Sequence, residues 1–192
     1  MCLSWITGWR VRRRLQQPAP ERFRAFDEAD RLVMLALGRD IPSLRPVLAE
    51  LAAAGKEITL VVEARSKSEL PASIPGCDPV LSLRSSWLWR RPTRQFLENF
   101  DRHDGEVLID VSTARSLPLL CLAVHSRATF KIGVPKEEAN PFHLQILVPA
   151  HRPGKEADGD APASGKRGLD AGELLKNALF YWKKIGVKEN NL

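Results

Sequence analysis

RLVMLALGRDIPSLRPVLAELAAAGKEITLVV, residues 31–62, is the stretch that decides the fold. Arg31 to Leu37 is apolar at every position after the arginine. It is too short for a helix and lacks the alternation of a half-exposed strand, so it reads as a strand covered on both faces. Beyond Gly38 and Pro42, Leu44, Leu48 and Leu51 recur at helical spacing, and a helix is expected over Ser43–Ala54, ended by Gly55. Ile58 to Val62 is a second continuous apolar run. Strand, helix and strand of these lengths make a parallel pair, joined by the right-handed crossover that such units almost always take.

The alternation continues down the chain. Val80–Leu83 reads as a short strand after Pro75, Gly76 and Pro79, and Thr93 is placed to cap a helix through Phe100. Val107–Val111 is another buried-strand run, Leu117–His125 a helix, Thr129–Ile132 a strand ending at Gly133, and His143–Val148 the last strand. Residues 150–168 mix charge with Pro153, Gly154, Gly159, Pro162, Gly165 and Gly168, a composition expected to stay a mobile linker. Asp170 is placed to cap a closing helix over Ala171–Ile185, in which Leu174, Leu175, Ala178, Leu179 and Trp182 share one face. The expected class is therefore α/β: a Rossmann-like three-layer sandwich around a mostly parallel sheet of five or six strands. The chain divides into a basic N-terminal helix and junction (1–24), the α/β body (25–149), the linker (150–168) and a C-terminal helix on the body (169–192).

With 192 residues, 44% of them hydrophobic, the chain can bury one full core but has no room for a second catalytic lobe. The longest apolar run, Leu117–Val124, is far too short to cross a membrane as a helix. At the N-terminus the apolar Leu3–Trp9 precedes the arginines, the reverse of a secretory signal, so a soluble, cytoplasmic protein is expected. Cys2, Cys77 and Cys121 are an odd number without a C-x-x-C pair, which suggests neither a disulfide framework nor a zinc site. Cys121, in its apolar stretch, is expected in the core.

The net charge of +6 is unevenly placed. Residues 1–24 hold Arg10, Arg12, Arg13, Arg14, Arg22 and Arg24 against the single acid Glu21, which leaves the other residues nearly neutral. Trp5, Ile6 and Trp9 stand at helical spacing ahead of the arginine block, so an amphipathic helix is expected to end before Pro18 and Pro20. A second basic stretch, residues 84–94, sets Arg84, Arg90, Arg91 and Arg94 around Trp87 and Trp89 without an acid. Arginines neutralise phosphates and release counterions, while exposed indoles stack on bases or rest among lipid headgroups. The plainer reading of both stretches is apolar side chains plugging the body and arginines left in water.

Catalytic signatures are sparse. The first strand exits as Leu37-Gly-Arg-Asp-Ile-Pro42, with one glycine where a dinucleotide fold needs G-x-G-x-x-G, and no Walker sequence occurs. His103, His125, His143 and His151 lack ligand spacing, and no serine sits in G-x-S-x-G, so no metal, cofactor or nucleophilic serine is expected. Asp110 and Ser112 are the candidate pocket, because ligands of open parallel sheets bind beyond the C-terminal strand ends. The alternative is that Asp110 holds loop amides and Ser112 caps the helix that follows.

Two resemblances add to this. Val107-Leu-Ile-Asp-Val-Ser112, the helix after it and Ser126-Arg-Ala-Thr-Phe-Lys-Ile-Gly133 resemble the fourth strand, helix and fifth strand in the N-terminal half of heptosyltransferase-type glycosyltransferases. That resemblance implies a Rossmann-like half. Over nearly its whole length the chain resembles a small protein family of Bacteroidota with a basic N-terminal helix, an "LIDLS" strand and an "A-x-F-K-x-G" turn, which implies architecture and no catalytic residue. The function expected is a non-enzymatic binding or scaffold protein, with RNA or a ribosomal surface as partner of the basic helix. The alternatives are a peripheral protein on an anionic membrane surface, at the inner membrane, and a degenerate glycosyltransferase-like ligand binder.

Overall fold

The computed structural model describes residues 22–70, 73–84, 92–136, 140–147 and 170–189. The expected N-terminal helix and the linker over residues 150–168 therefore lie outside the described residues. The elements run β1 (Arg31–Leu37), α1 (Ile41–Ala53), β2 (Glu57–Ala64), β3 (Cys77–Arg84), α2 (Arg94–Arg102), β4 (Val107–Asp110), α3 (Leu117–His125), β5 (Phe130–Gly133), β6 (Leu144–Gln145) and α4 (Ala171–Glu189). They form one six-stranded sheet in the order β3-β2-β1-β4-β5-β6, and every neighbouring pair is parallel.

The order follows from crossover geometry. The chain steps one way from β1 through β2 to β3, then returns to pair β4 with the other side of β1 and steps outward to β5. Right-handed crossovers taken in opposite directions put their helices on opposite faces. On one face Leu32, Met34, Leu60 and Ile109 pack under Leu44 and Leu48 of α1 and Leu175 and Trp182 of α4. On the other, Val33, Leu35, Val61 and Leu108 pack under Phe100 of α2 and Leu119 and Leu122 of α3. Odd and even positions of the same strand thus serve two cores, which explains why β1 is apolar throughout.

Local differences from the sequence reading have local causes. α1 starts at Ile41, ahead of the expected Ser43, because Pro42 sits in the first turn, where its missing N–H costs nothing. Gly55 ends it in a left-handed conformation at φ +80°. β3 begins at Cys77 and keeps Pro79 inside it. It is an edge strand, where a missing donor can face away from the ladder, and its register with β2 shifts between Ile58 and Leu60. β6 has two residues in place of the six expected over His143–Val148. Cys121 is only half-buried, on the outer side of α3, while Cys77 is the buried thiol. Burial pushes the Cys77 thiol up to about 11, so it is a poor nucleophile. No helix among the described residues is long and apolar enough to cross a membrane.

α4 closes the body. Asp170 Oδ1 accepts from the Glu173 amide at 2.8 Å, and the helix runs beside α1 from its start near Ser43. Its fully buried Trp182 meets Phe26 edge-on at 5.1 Å and donates Nε1–H to the Arg24 carbonyl at 2.6 Å. Replacing Trp182 by alanine should cost about 3–5 kcal/mol, as large aromatic deletions in cores do. Replacing it by phenylalanine should cost markedly less, mainly the indole hydrogen bond of about 1 kcal/mol. Urea unfolding of the three proteins checks the ranking.

Candidate functional site

In an open parallel sheet the crevice for a ligand lies where the strand order reverses, between β1 and β4, beyond their C-terminal ends. Asp110 ends β4 there and is fully buried. Its Oδ1 accepts from the Ser112 amide at 2.9 Å and the Ser112 hydroxyl at 2.6 Å. Across β5, Lys136 reaches back so that Nζ lies 3.5 Å from Asp110 Oδ2 and donates to Ser112 Oγ at 3.0 Å. From β1, Asp40 Oδ2 accepts from the Thr113 hydroxyl at 2.7 Å and its amide at 3.3 Å. Ser116 donates its hydroxyl to Glu63 at the end of β2 and accepts from the Leu119 amide at 3.1 Å. The cap of α3 is therefore Ser116, not Ser112 as the sequence suggested. Ser112 instead locks Asp110.

Three features determine what this crevice can do. A serine–lysine nucleophile needs the amine to accept the hydroxyl proton, yet here the hydrogen bonds run from Lys136 to Ser112 and from Ser112 to Asp110. The starts of α1 and α3, where a phosphate would meet free backbone N–H groups, already have Asp40 and Glu63 beside them. Finally, Gly38 leaves no approach for a pyrophosphate, because the chain fills that space itself. A Cβ there would lie 2.8 Å from Glu69 Cβ and 2.9 Å from its carbonyl oxygen.

Asp110 and Ser112 are thus brought together, and sequence reasoning missed the partners Lys136, Asp40 and Glu63. The register Asp110↔Gly133 sets Lys136, three residues past Gly133, beside Asp110, but nothing in a single sequence announces that register. Lys131 was missed too. Buried within β5, it donates Nζ to the carbonyls of Ala123 and Ser126 at 2.8 Å each, a cation on the last carbonyls of α3.

Of the basic and aromatic candidates, Arg84 and Arg94 are among the described residues. Arg10, Arg12, Arg13, Arg14, Trp87, Trp89, Arg90 and Arg91 lie outside the described residues. Arg84 is the last residue of β3 and Arg94 the first of α2, where it pairs with Glu98 at 2.8 Å. Three histidines have partners of their own: His125 Nε2 lies 2.8 Å from Asp101, His103 Nδ1 3.0 Å from the Asn99 carbonyl, and His143 Nδ1 accepts from the Lys131 amide at 2.9 Å. Among the described residues no cluster of His, Cys, Asp or Glu could hold a metal ion.

The opposite, N-terminal edge of the sheet receives the start of the described chain. The Arg22 amide donates to the Thr129 carbonyl just before β5 at 3.3 Å, and Phe23 packs edge-on against Phe130 at 5.2 Å. Residues 22–24, which the sequence reading grouped with the basic segment, therefore lie against the body without helical structure. Glu106 organises this edge: Oε2 accepts from the amides of Asp30 (3.0 Å) and Arg31 (3.5 Å), and Oε1 lies 3.8 Å from Arg24. Partial burial works to raise its pKa, but those two hydrogen bonds and the charges of Arg24 and Arg31 outweigh it and hold the carboxyl below its ordinary value.

The six-stranded parallel sheet in the order 3-2-1-4-5-6, with helices on both faces, defines a Rossmann-like α/β protein. The chain belongs to a family of unknown function, DUF6913, which it matches over residues 6–155; α4 lies beyond that span. Comparison with curated proteins and with solved structures finds no match.

Two outcomes test these edges. Lys136→Met leaves a buried carboxylate without its counter-charge and should cost about 3–5 kcal/mol, whereas Asp110→Asn combined with Lys136→Met should recover most of it, because breaking a buried pair costs more than replacing it. Denaturant melts of the single and double variants give both numbers. Because the folded pKa of Glu106 is depressed, its stabilisation is present above the ordinary carboxylate range and lost as pH falls through the folded value. Wild-type stability should therefore drop more steeply than that of Glu106→Gln between about pH 5 and pH 2.

Proposed function

We propose that this is a binding protein without catalytic chemistry, whose Rossmann-like body is a scaffold. Its arginine-rich N-terminal stretch attaches to an anionic surface, RNA and most concretely a ribosomal one. One observation carries the reading: Arg22 and Phe23 root that stretch at the N-terminal edge of the sheet, away from the self-paired crevice. Cations already gather at that edge. Lys56 and Lys183 stand over the Phe26 ring at 4.8 and 4.2 Å, and the C-terminal half of α4 adds Lys184 beside the exposed Phe180. Arg10, Arg12, Arg13 and Arg14 would thus add to lysines and aromatic rings at an edge that also carries the exposed acids Asp27, Glu28, Asp30 and Glu57, and cations beside rings suit phosphates and stacked bases.

The exposed Phe180 among lysines favours a second reading, a peripheral cytoplasmic protein on an anionic lipid surface. Co-sedimentation from lysate separates the two. Changing Arg10, Arg12, Arg13 and Arg14 together to Glu should abolish association and leave the melting temperature nearly unchanged, since exposed charges contribute little to stability. Four phosphate contacts also predict binding about 50-fold weaker at 200 mM than at 50 mM salt. RNase should release an RNA-bound protein and detergent a lipid-bound one. Co-sedimentation of the quadruple variant at the wild-type level would refute both readings.

A further inference from the structure

The open flank of α4 offers a site that the fold itself leaves unfilled. Leu174, Leu175, Ala178 and Trp182 form the buried stripe of this helix. At about 100° per residue, Tyr181 borders that stripe on one side and Lys183 stands beyond it on the other, while Ile185 continues the stripe itself past Trp182. Lys183 leans over Phe26, whose carbonyl is held by Lys56 just beyond α1, so that side faces α1. The Tyr181 side must then face the β5–β6 end of the sheet, with Ile185 one turn further along the helix. Among the described residues, α1 and α4 are the only helices longer than one turn on this face, so no helix covers it there. Tyr181 is 53% exposed and Ile185 41%, which is costly for two large side chains one turn apart.

We infer that this flank is the docking site of the chain's own residues 2–9, through Trp5, Ile6 and Trp9. The root of the segment is on the correct side: Arg22 is fixed to Thr129 at the start of β5, not at the α1 side. The reach suffices. Residues 17–21 span up to about 17 Å of extended chain. The Arg24 carbonyl already touches Trp182, and Ile185 lies one turn of about 5 Å beyond it. The two surfaces also match in kind, since Trp5, Ile6 and Trp9 are spaced in the sequence as one apolar stripe of a helix would be. A second copy is the poorer occupant. Two exposed side chains fall far short of the roughly 800 Å² per partner of a stable interface, whereas a tethered segment binds at millimolar effective concentration. Docking through the tryptophans uses residues ahead of Arg10 and leaves the arginine block to an external partner, so this inference does not depend on what that partner is.

Trypsin reads the docking directly, because Arg12, Arg13 and Arg14 are its substrates and a docked segment is cleaved only after local detachment. The assay uses purified full-length protein without RNA or lipid, and mass spectrometry follows cleavage after these arginines. Tyr181→Glu with Ile185→Glu should speed cleavage by about tenfold or more. Trp5→Ala with Trp9→Ala should do the same without touching the core of the body, and the four changes together should add little, since both pairs remove one contact. Phe180→Glu, on the outward pole of α4, should leave the rate unchanged. Wild-type cleavage as fast as in the variants would overturn the inference. So would a Tyr181/Ile185 variant that alters only the sedimentation coefficient, which would assign the flank to a second copy.

Discussion

The parallel pairing of β1 with β4, Leu32↔Val107 through Leu35↔Asp110, is the contact on which the rest of the structure depends. It joins two strands separated by more than seventy residues and lets the chain reverse its direction of travel across the sheet. Once it forms, crossovers on its two sides fall on opposite faces, both faces of β1 are buried, and each apolar position of the central strands has a helix above or below it. It also creates the crevice at the C-terminal ends of β1 and β4. In folds of this order that crevice is where a ligand fits; here it holds two separate sets, Asp110 with Ser112 and Lys136 and Asp40 with Thr113, and the buried Asp110 Oδ2 accepts no hydrogen bond.

The parts of the fold that were legible in the sequence were those governed by strong local rules. Continuous apolar runs gave β1, β2 and β4, Thr93 and Asp170 marked helix starts correctly, and Leu117–His125 was placed to the residue. Edges were harder. Pro79 and Gly76 look like turn punctuation in sequence, yet β3 tolerates Pro79 because it has a neighbour on one side only. β6 is shorter than its apolar pattern suggests for the same reason. Of the crevice, Asp110 and Ser112 could be read from their place at a strand exit. Lys136 could not, since its nearness to Asp110 depends on the β4–β5 register and on a loop path beyond Gly133.

Lys131 shows how a resemblance can be observed before it is understood. The lysine of the A-x-F-K-x-G turn interrupts a run that every other signal marks as a buried strand. A lone ammonium would be expensive there. The structure supplies the physical reason: α3 ends above β5 with unpaired carbonyls at Ala123 and Ser126, and the lysine donates to both. It replaces the capping residue that Ser126, in extended conformation, does not provide. The position is thus explained by architecture, with no ligand needed.

The two edges of the sheet have opposite characters, and this bears on which of them faces a partner. At the C-terminal edge polar groups are numerous but turned inward: carboxylates beside both helix starts, a serine hydroxyl committed to a buried aspartate, a lysine drawn onto both. Any ligand there would first have to break pairs whose members are poorly solvated, which is costly when one partner is left buried and charged. At the N-terminal edge Glu106 is consumed by backbone amides and Arg24, while Lys56, Lys183 and Lys184 rest on aromatic rings among the exposed acids Asp27, Glu28, Asp30 and Glu57. Cations held this way lose little on meeting an anion, because a cation–π contact can persist while the ammonium turns its other protons outward. The arginine-rich segment therefore joins the body at the edge whose charges stay near solvent and not at the one whose charges are buried and paired.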